Sequence, residues 1–165
     1  MAISNPALTQ YFLQDDLYLL NEDKSFYANN LNEPEQETPA PDFNCLGSNK
    51  KGFLILVHYP QHEHMDPAHL KALESTLGRK ALNLDDVAIL NMAKYPDATL
   101  TDLNDFYKFQ QLLILGEQSM LRELPQLQLN TITNMEVKQL YSYSFDEMLA
   151  DRDKARAFWD QMKNF

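Results

Sequence analysis

The chain has 165 residues, which suits one α/β domain plus an appendage, and 44% of them are hydrophobic, enough for an ordinary core. A formal net charge of -10 makes the surface repel phosphate backbones, and the short basic clusters Asn49-Lys50-Lys51 and Gly78-Arg79-Lys80 read as solvated loops, so direct nucleic-acid binding is not expected. One cysteine, Cys45, excludes an internal disulfide and fits a reducing cytoplasm.

The start, Met1-Ala2-Ile3-Ser4-Asn5-Pro6, lacks the basic and apolar regions of a signal peptide, and no apolar run is long enough for a bilayer. The expectation is a soluble cytoplasmic protein with no membrane partner. Residues 1–20 form an N-terminal amphipathic segment in which Tyr11, Phe12, Leu13, Leu17 and Tyr18 cluster, with Asn5-Pro6 as a helix start. Residues 21–51 are rich in Asn, Glu, Pro and Asp, a composition that buries little apolar surface and reads as a flexible acidic linker. A flexible linker of this size spans roughly 25–35 Å on average. The segment ahead of it is then either a tethered, partner-docking arm or an extra element folded back on its own domain.

Residues 52–165 carry a regular rhythm. Phe53 to His58 is an unbroken apolar run, expected as a strand buried on both faces. Tyr59 to Met65 is a polar loop. A helix follows over Pro67 to Leu77, with Asp66 as N-cap, Leu70, Leu73 and Leu77 as core stripe, and Gly78 just past the end. Val87 to Met92 is the second strand. Thr99 opens a second helix near Leu100 to Lys108, with Asp102 in its first turn. Gln111 to Leu115 is the third strand, ended by Gly116. A short helix is expected over Ser119 to Leu124, stopped by Pro125, and a fourth strand near Lys138 to Tyr143. Ser144 and Glu147 have capping-box spacing, and a last helix runs from Arg152 to Lys163. Strands alternating with helices predict a three-layer α/β/α fold, with a four-stranded mainly parallel sheet and the first strand central.

Chemistry is harder to find. His58, His62 and His64 lie at and just after the end of the first strand, where open α/β sheets bind ligands, so they form a candidate ligand loop. Glu63 and Asp66 offer oxygen ligands, and a zinc or nickel site there would make the chain a small metal-dependent enzyme. The spacing matches no fixed metal motif, and His69 is placed on the helix, facing away from the loop, so no bound metal is expected. Only four glycines occur, none between the first strand and first helix, so there is no P-loop or dinucleotide fingerprint. A Gly-x-Ser-x-Gly elbow is absent, Cys45 falls in the linker, and Asp15-Asp16 and Asp85-Asp86 are adjacent rather than separated acids. No catalytic residue and no cofactor is expected. A third reading is an inert domain that binds a nucleotide or base at the sheet edge.

From Phe53 onward the chain resembles the psi subunit of bacterial DNA polymerase III, a clamp-loader accessory protein. The resemblance is carried by Phe53-Leu54-Ile55-Leu56-Val57, by Met65-Asp66-Pro67-Ala68-His69-Leu70, by Asp85-Asp86-Val87-Ala88-Ile89-Leu90 and by Leu113-Ile114-Leu115-Gly116. The closest match is the tail, Phe145-Asp146-Glu147-Met148-Leu149-Ala150 followed by Lys154-Ala155-Arg156-Ala157-Phe158-Trp159-Asp160-Gln161-Met162. About two-thirds of the chain is covered, by motifs that are structural. The resemblance implies a uracil-glycosylase-like fold without the glycosylase chemistry. It also implies a non-enzymatic adaptor whose N-terminal arm docks on clamp-loader subunits while the folded domain binds a chi-like protein. The linker here is longer and more acidic than that pattern, and the arm matches only as an aromatic-apolar segment.

Overall fold

The structure is a computed structural model that describes residues 42–124 and 127–165. The amphipathic segment 1–20, residues 21–41 of the linker and Pro125 lie outside the described residues.

Five strands form one mixed sheet: β1 (Phe53–Val57), β2 (Val87–Asn91), β3 (Gln111–Leu115), β4 (Thr131–Asn134) and β5 (Lys138–Ser142). Their spatial order is β2-β1-β3-β5-β4. β1 pairs in parallel with β2 and β3, with Ile55 opposite both Ile89 and Leu113, and β3 pairs in parallel with β5. β4 runs antiparallel to β5, with Ile132 opposite Leu140. The expected parallel core is therefore present with β1 in its interior. The sheet has five strands rather than four, because a short polar strand, Thr131–Asn134, pairs beside the expected fourth one.

Residues of alternating parity point to opposite faces of a strand, and the core divides accordingly. Phe53, Ile55, Val57, Val87, Ile89, Leu113, Leu115 and Leu140 face helices α1 (Pro67–Gly78), α3 (Phe145–Ala150) and α4 (Arg152–Met162). Leu54, Leu56, Ala88, Leu90, Leu112 and Ile114 face α2 (Leu100–Tyr107), joined there by Phe43, Phe109 and Leu121. Helices on both faces make three layers. β1 and β2 are buried at every position, as the unbroken apolar run of β1 predicts; in β2 the burial extends to the polar Asn91. Each buried Phe, Leu, Ile or Val in them contributes roughly 1.5–3 kcal/mol on leaving water.

Helix starts follow the sequence. Asp66 accepts from the Ala68 and His69 N–H groups, and Thr99–Asp102 and Ser144–Glu147 form reciprocal capping boxes. Helix ends follow it less well. Gly78 lies inside α1, and the left-handed residue after that helix is Ala81, at φ 55°. The helix expected over Ser119 to Leu124 does not form. A 3-10 turn, Glu117–Ser119, is followed by extended backbone at Met120. The Ser119 hydroxyl donates to the Leu115 carbonyl, while Leu121 drops into the α2-side core. A segment confined between Gly116 and Pro125 gains too few intrahelical bonds to nucleate against that packing.

The last stretch of the segment read as linker is packed. Phe43 is buried among Tyr95, Phe106 and Tyr107. Leu46 exchanges backbone hydrogen bonds with Ile89, and the Asn49 N–H donates to the Val87 carbonyl. Residues 43–51 thus belong to the folded domain.

Candidate functional site

The chain enters the sheet at β1, crosses one face through α1 to reach β2, and returns over the opposite face through α2 to β3. Successive connections on opposite faces leave a crevice outside the carboxyl ends of β1 and β3, the place where open α/β sheets bind ligands. His58, the first residue after β1, stands at this point and lines two clefts.

The first cleft has a volume of about 450 Å³ and is walled by His58, Glu117, Tyr141, Tyr143, Asp146 and Glu147, among others. Gly116 makes its floor possible. At φ 84° it holds a backbone conformation that a side chain would strain, and a Cβ there would lie 3.1 Å from the Ser144 Cβ. Among the described residues, no lysine or arginine lines this cleft. The Ser144 N–H and then the Lys154 ammonium hold the Glu147 carboxyl below its ordinary range. Burial, then the Glu117 and Glu147 carboxylates, push the Tyr141 phenol up, so it stays protonated at neutral pH. With Glu147 paired to Lys154, the wall keeps the carboxylates of Glu117 and Asp146 beside hydroxyl groups that both donate and accept.

The second cleft, about 420 Å³, is bounded by His58, Met92, Asp97, Thr99, Gln118, Arg122 and Glu123. Its charges are mixed and partly committed: the Glu123 carboxylate accepts from the Leu100 N–H at the start of α2, 3.0 Å away.

The three loop histidines do not converge. The His62 Nε2 lies 3.6 Å from the Asp66 carboxylate that caps α1. Nδ1 of His58 and Nδ1 of His64 are buried without a hydrogen-bond partner among the described residues. No group of three His, Cys, Asp or Glu side chains is placed to hold a metal ion among the described residues. His69 departs from the expectation that it faces away from the loop. It is buried, its ring stacks on Phe145 at 5.8 Å, and its Nδ1 shares a 2.8 Å hydrogen bond with the hydroxyl of Tyr59 in that loop. Burial, with the Asp146 and Asp66 carboxylates adding to it, pushes the Tyr59 phenol well above its ordinary value. The hydrogen bond between His69 and Tyr59 therefore ties the loop to α1.

A residue that sequence reasoning missed organises the whole loop. Asn91, at the end of β2, is 1% exposed. Its Oδ1 accepts from the Tyr59 and Ala93 N–H groups, and its Nδ2 donates to the carbonyls of Tyr59, His62 and Glu63. Glu63 is held again by the Asn44 amide at 2.7 Å. An asparagine after an apolar strand reads as a turn residue, and nothing in its sequence position shows that it clasps a loop thirty residues upstream. Glu117 was also missed. The signal for it was Gly116, which marks a turn at the same carboxyl edge.

Tyr11, Phe12, Leu13, Leu17 and Tyr18, the expected partner-binding residues, lie outside the described residues. Among the described residues, no helix is long and apolar enough to cross a membrane. No protein-family model matches the chain, and no curated protein matches it.

Proposed function

We propose that the chain is a non-enzymatic adaptor of the replisome, similar to the psi subunit of DNA polymerase III, that links clamp-loader subunits to a chi-like partner. In this reading the parallel core is a uracil-glycosylase-like sheet put to use as a scaffold, without cofactor or metal. The observation that supports it most is the fate of the tail, where the resemblance is closest. Those residues fold as α3 and α4, and they leave Leu149 64% exposed beside an apolar groove lined by Ala72, Met148, Phe158 and Trp159. A large apolar side chain at the mouth of a groove is what a protein-binding face presents. The N-terminal segment supplies the second contact, and a flexible tether raises its effective concentration once the domain is bound.

The test is binding of the full chain to purified clamp-loader subunits and to chi. Deleting residues 1–20 is expected to abolish clamp-loader binding while leaving the melting temperature nearly unchanged, and Leu149→Asp to weaken the chi contact. Failure of the full chain to bind either partner refutes the replisome role. A large fall in melting temperature on deletion refutes the arm.

A further inference from the structure

We propose that the outer edge of β4 is a docking site for an extended, basic segment of a partner protein, which adds to the sheet as one more strand. The inference goes beyond the replisome reading and holds whichever assembly the partner belongs to.

Among the described residues, β4 closes one side of the sheet and pairs only with β5. In an antiparallel ladder alternate residues turn their N–H and C=O groups outward, so half of the β4 backbone has no ladder partner among the described residues. Natural edges are blunted by shortness, lysine, proline, a bulge or a covering segment, and of these β4 shows only shortness among the described residues. Thr131-Ile132-Thr133-Asn134 has no charge and no proline, and three of its residues are β-branched. At its two ends stand Leu129, 46% exposed, and Met135, 72% exposed. The opposite edge of the same sheet is covered, because residues 46–49 hydrogen-bond along β2. An edge that is bare among the described residues, β-prone and flanked by apolar side chains has the features that strand addition uses: main-chain bonds for affinity and side-chain contacts for specificity.

Charge decides between occupants. Leu129 lies in the wall of the first cleft together with Glu117, Asp146 and Glu147; among the described residues no lysine or arginine lines that cleft, and Lys154 reaches only Glu147, which leaves Glu117 and Asp146 without a lysine or arginine partner there. A strand laid along β4 brings its end past these carboxylates. A second copy of this chain would bring the same acidic cleft and a net charge of -10, which opposes self-pairing. A segment carrying Lys or Arg at alternate positions is complementary.

Short synthetic peptides with Lys alternating with Val or Thr provide the probe, with a Glu-for-Lys counterpart and a version N-methylated at alternate amides. The protein is the full chain, followed by amide NMR and calorimetry. The basic peptide is expected to bind, to slow amide exchange at Thr131–Asn134 and to shift Glu117 and Leu129. The acidic counterpart should bind at least about tenfold more weakly. N-methylation should abolish binding, and Thr131→Lys should weaken it without changing the melting temperature. Because the N-methyl comparison uses the unaltered chain, it decides even if that variant misfolds. The proposal is overturned by absence of binding, by binding that survives N-methylation, or by unchanged exchange at Thr131–Asn134. It is equally overturned if sedimentation shows a dimer whose β4 amides are protected without peptide.

Discussion

The two edges of the sheet meet the same problem in opposite ways. At β2 a preceding stretch of the chain, residues 46–51, lies along the strand and its approach, bonding to Ile89, Val87, Asp86 and Asp85, and ion pairs Lys50–Asp85 and Lys51–Asp86 fasten it. At β4 the hairpin from β5 moves the edge outward by one short strand and then leaves it bare among the described residues. The covered edge borders the two strands with the most complete burial. The bare edge borders the strand with the least. Protection has gone where local opening would cost the core most, and the cheaper side of the sheet is left available to solvent or a partner.

This contrast can be broken at its strongest point by Gly47→Ala. Gly47 sits at φ 107°, and a Cβ there would collide with the carbonyl oxygens of Val87 and Leu84. The expected loss is about 3 kcal/mol or more, read by chemical denaturation, with faster exchange at Ile89. Near-normal stability would show that the covering segment contributes little. Next comes Asn91→Ala, which strips five hydrogen-bond contacts from a buried amide and leaves carbonyls of the first loop unpaired. A loss of about 2–4 kcal/mol is expected, with the loop amides exchanging freely while those of β4 are unaffected.

A smaller effect, about 1 kcal/mol, is expected for Ser144→Ala, which removes the cap beside the first cleft. Its pH dependence adds a check. Hydrogen bonds hold the carboxyls of Asp66, Asp86, Asp102 and Glu147 below their ordinary values. Their stabilisation is fully present above the unfolded carboxylate range, about pH 4, and is lost as pH falls through the lowered folded values. The melting temperature should therefore drop on acidification, with nearly the same steepness in the Ser144 variant, because the Ser144 N–H and Lys154, the two largest causes of the lowered Glu147 carboxyl, remain. The smallest effect belongs to Thr131→Lys, within about 0.5 kcal/mol of the unaltered chain. A larger loss would mean that the β4 edge is packed after all, and the two edges would then be alike.

Legibility in the sequence tracked how local each signal was. The run Phe53–Val57, the Asp66 cap, the helix start at Thr99 and the Ser144 box are written in neighbouring residues and were found within a residue or two. β4 was missed because a four-residue stretch with a single apolar residue, Ile132, forms a strand only when β5 is beside it. The covering segment was hidden in an acidic stretch, where Phe43, Cys45 and Leu46 were too sparse to show periodicity. The site was legible only as a place. His58 was found because it follows an apolar run, whereas the acidic wall from Glu117, Asp146 and Glu147 is assembled from two distant connections.

The Asn91 clasp also sets an order of events during folding. The loop after β1 receives its main restraint from a side chain that enters the sheet only when β2 docks, so residues 59–63 are expected to order after the β1–β2 pairing. During synthesis this loop would stay open until residue 91 has cleared the ribosome, and His58 with its two clefts would be among the last features to take shape. Pulse-labelled exchange reads this directly, and protection of the Tyr59 N–H ahead of the β2 amides would reverse the order.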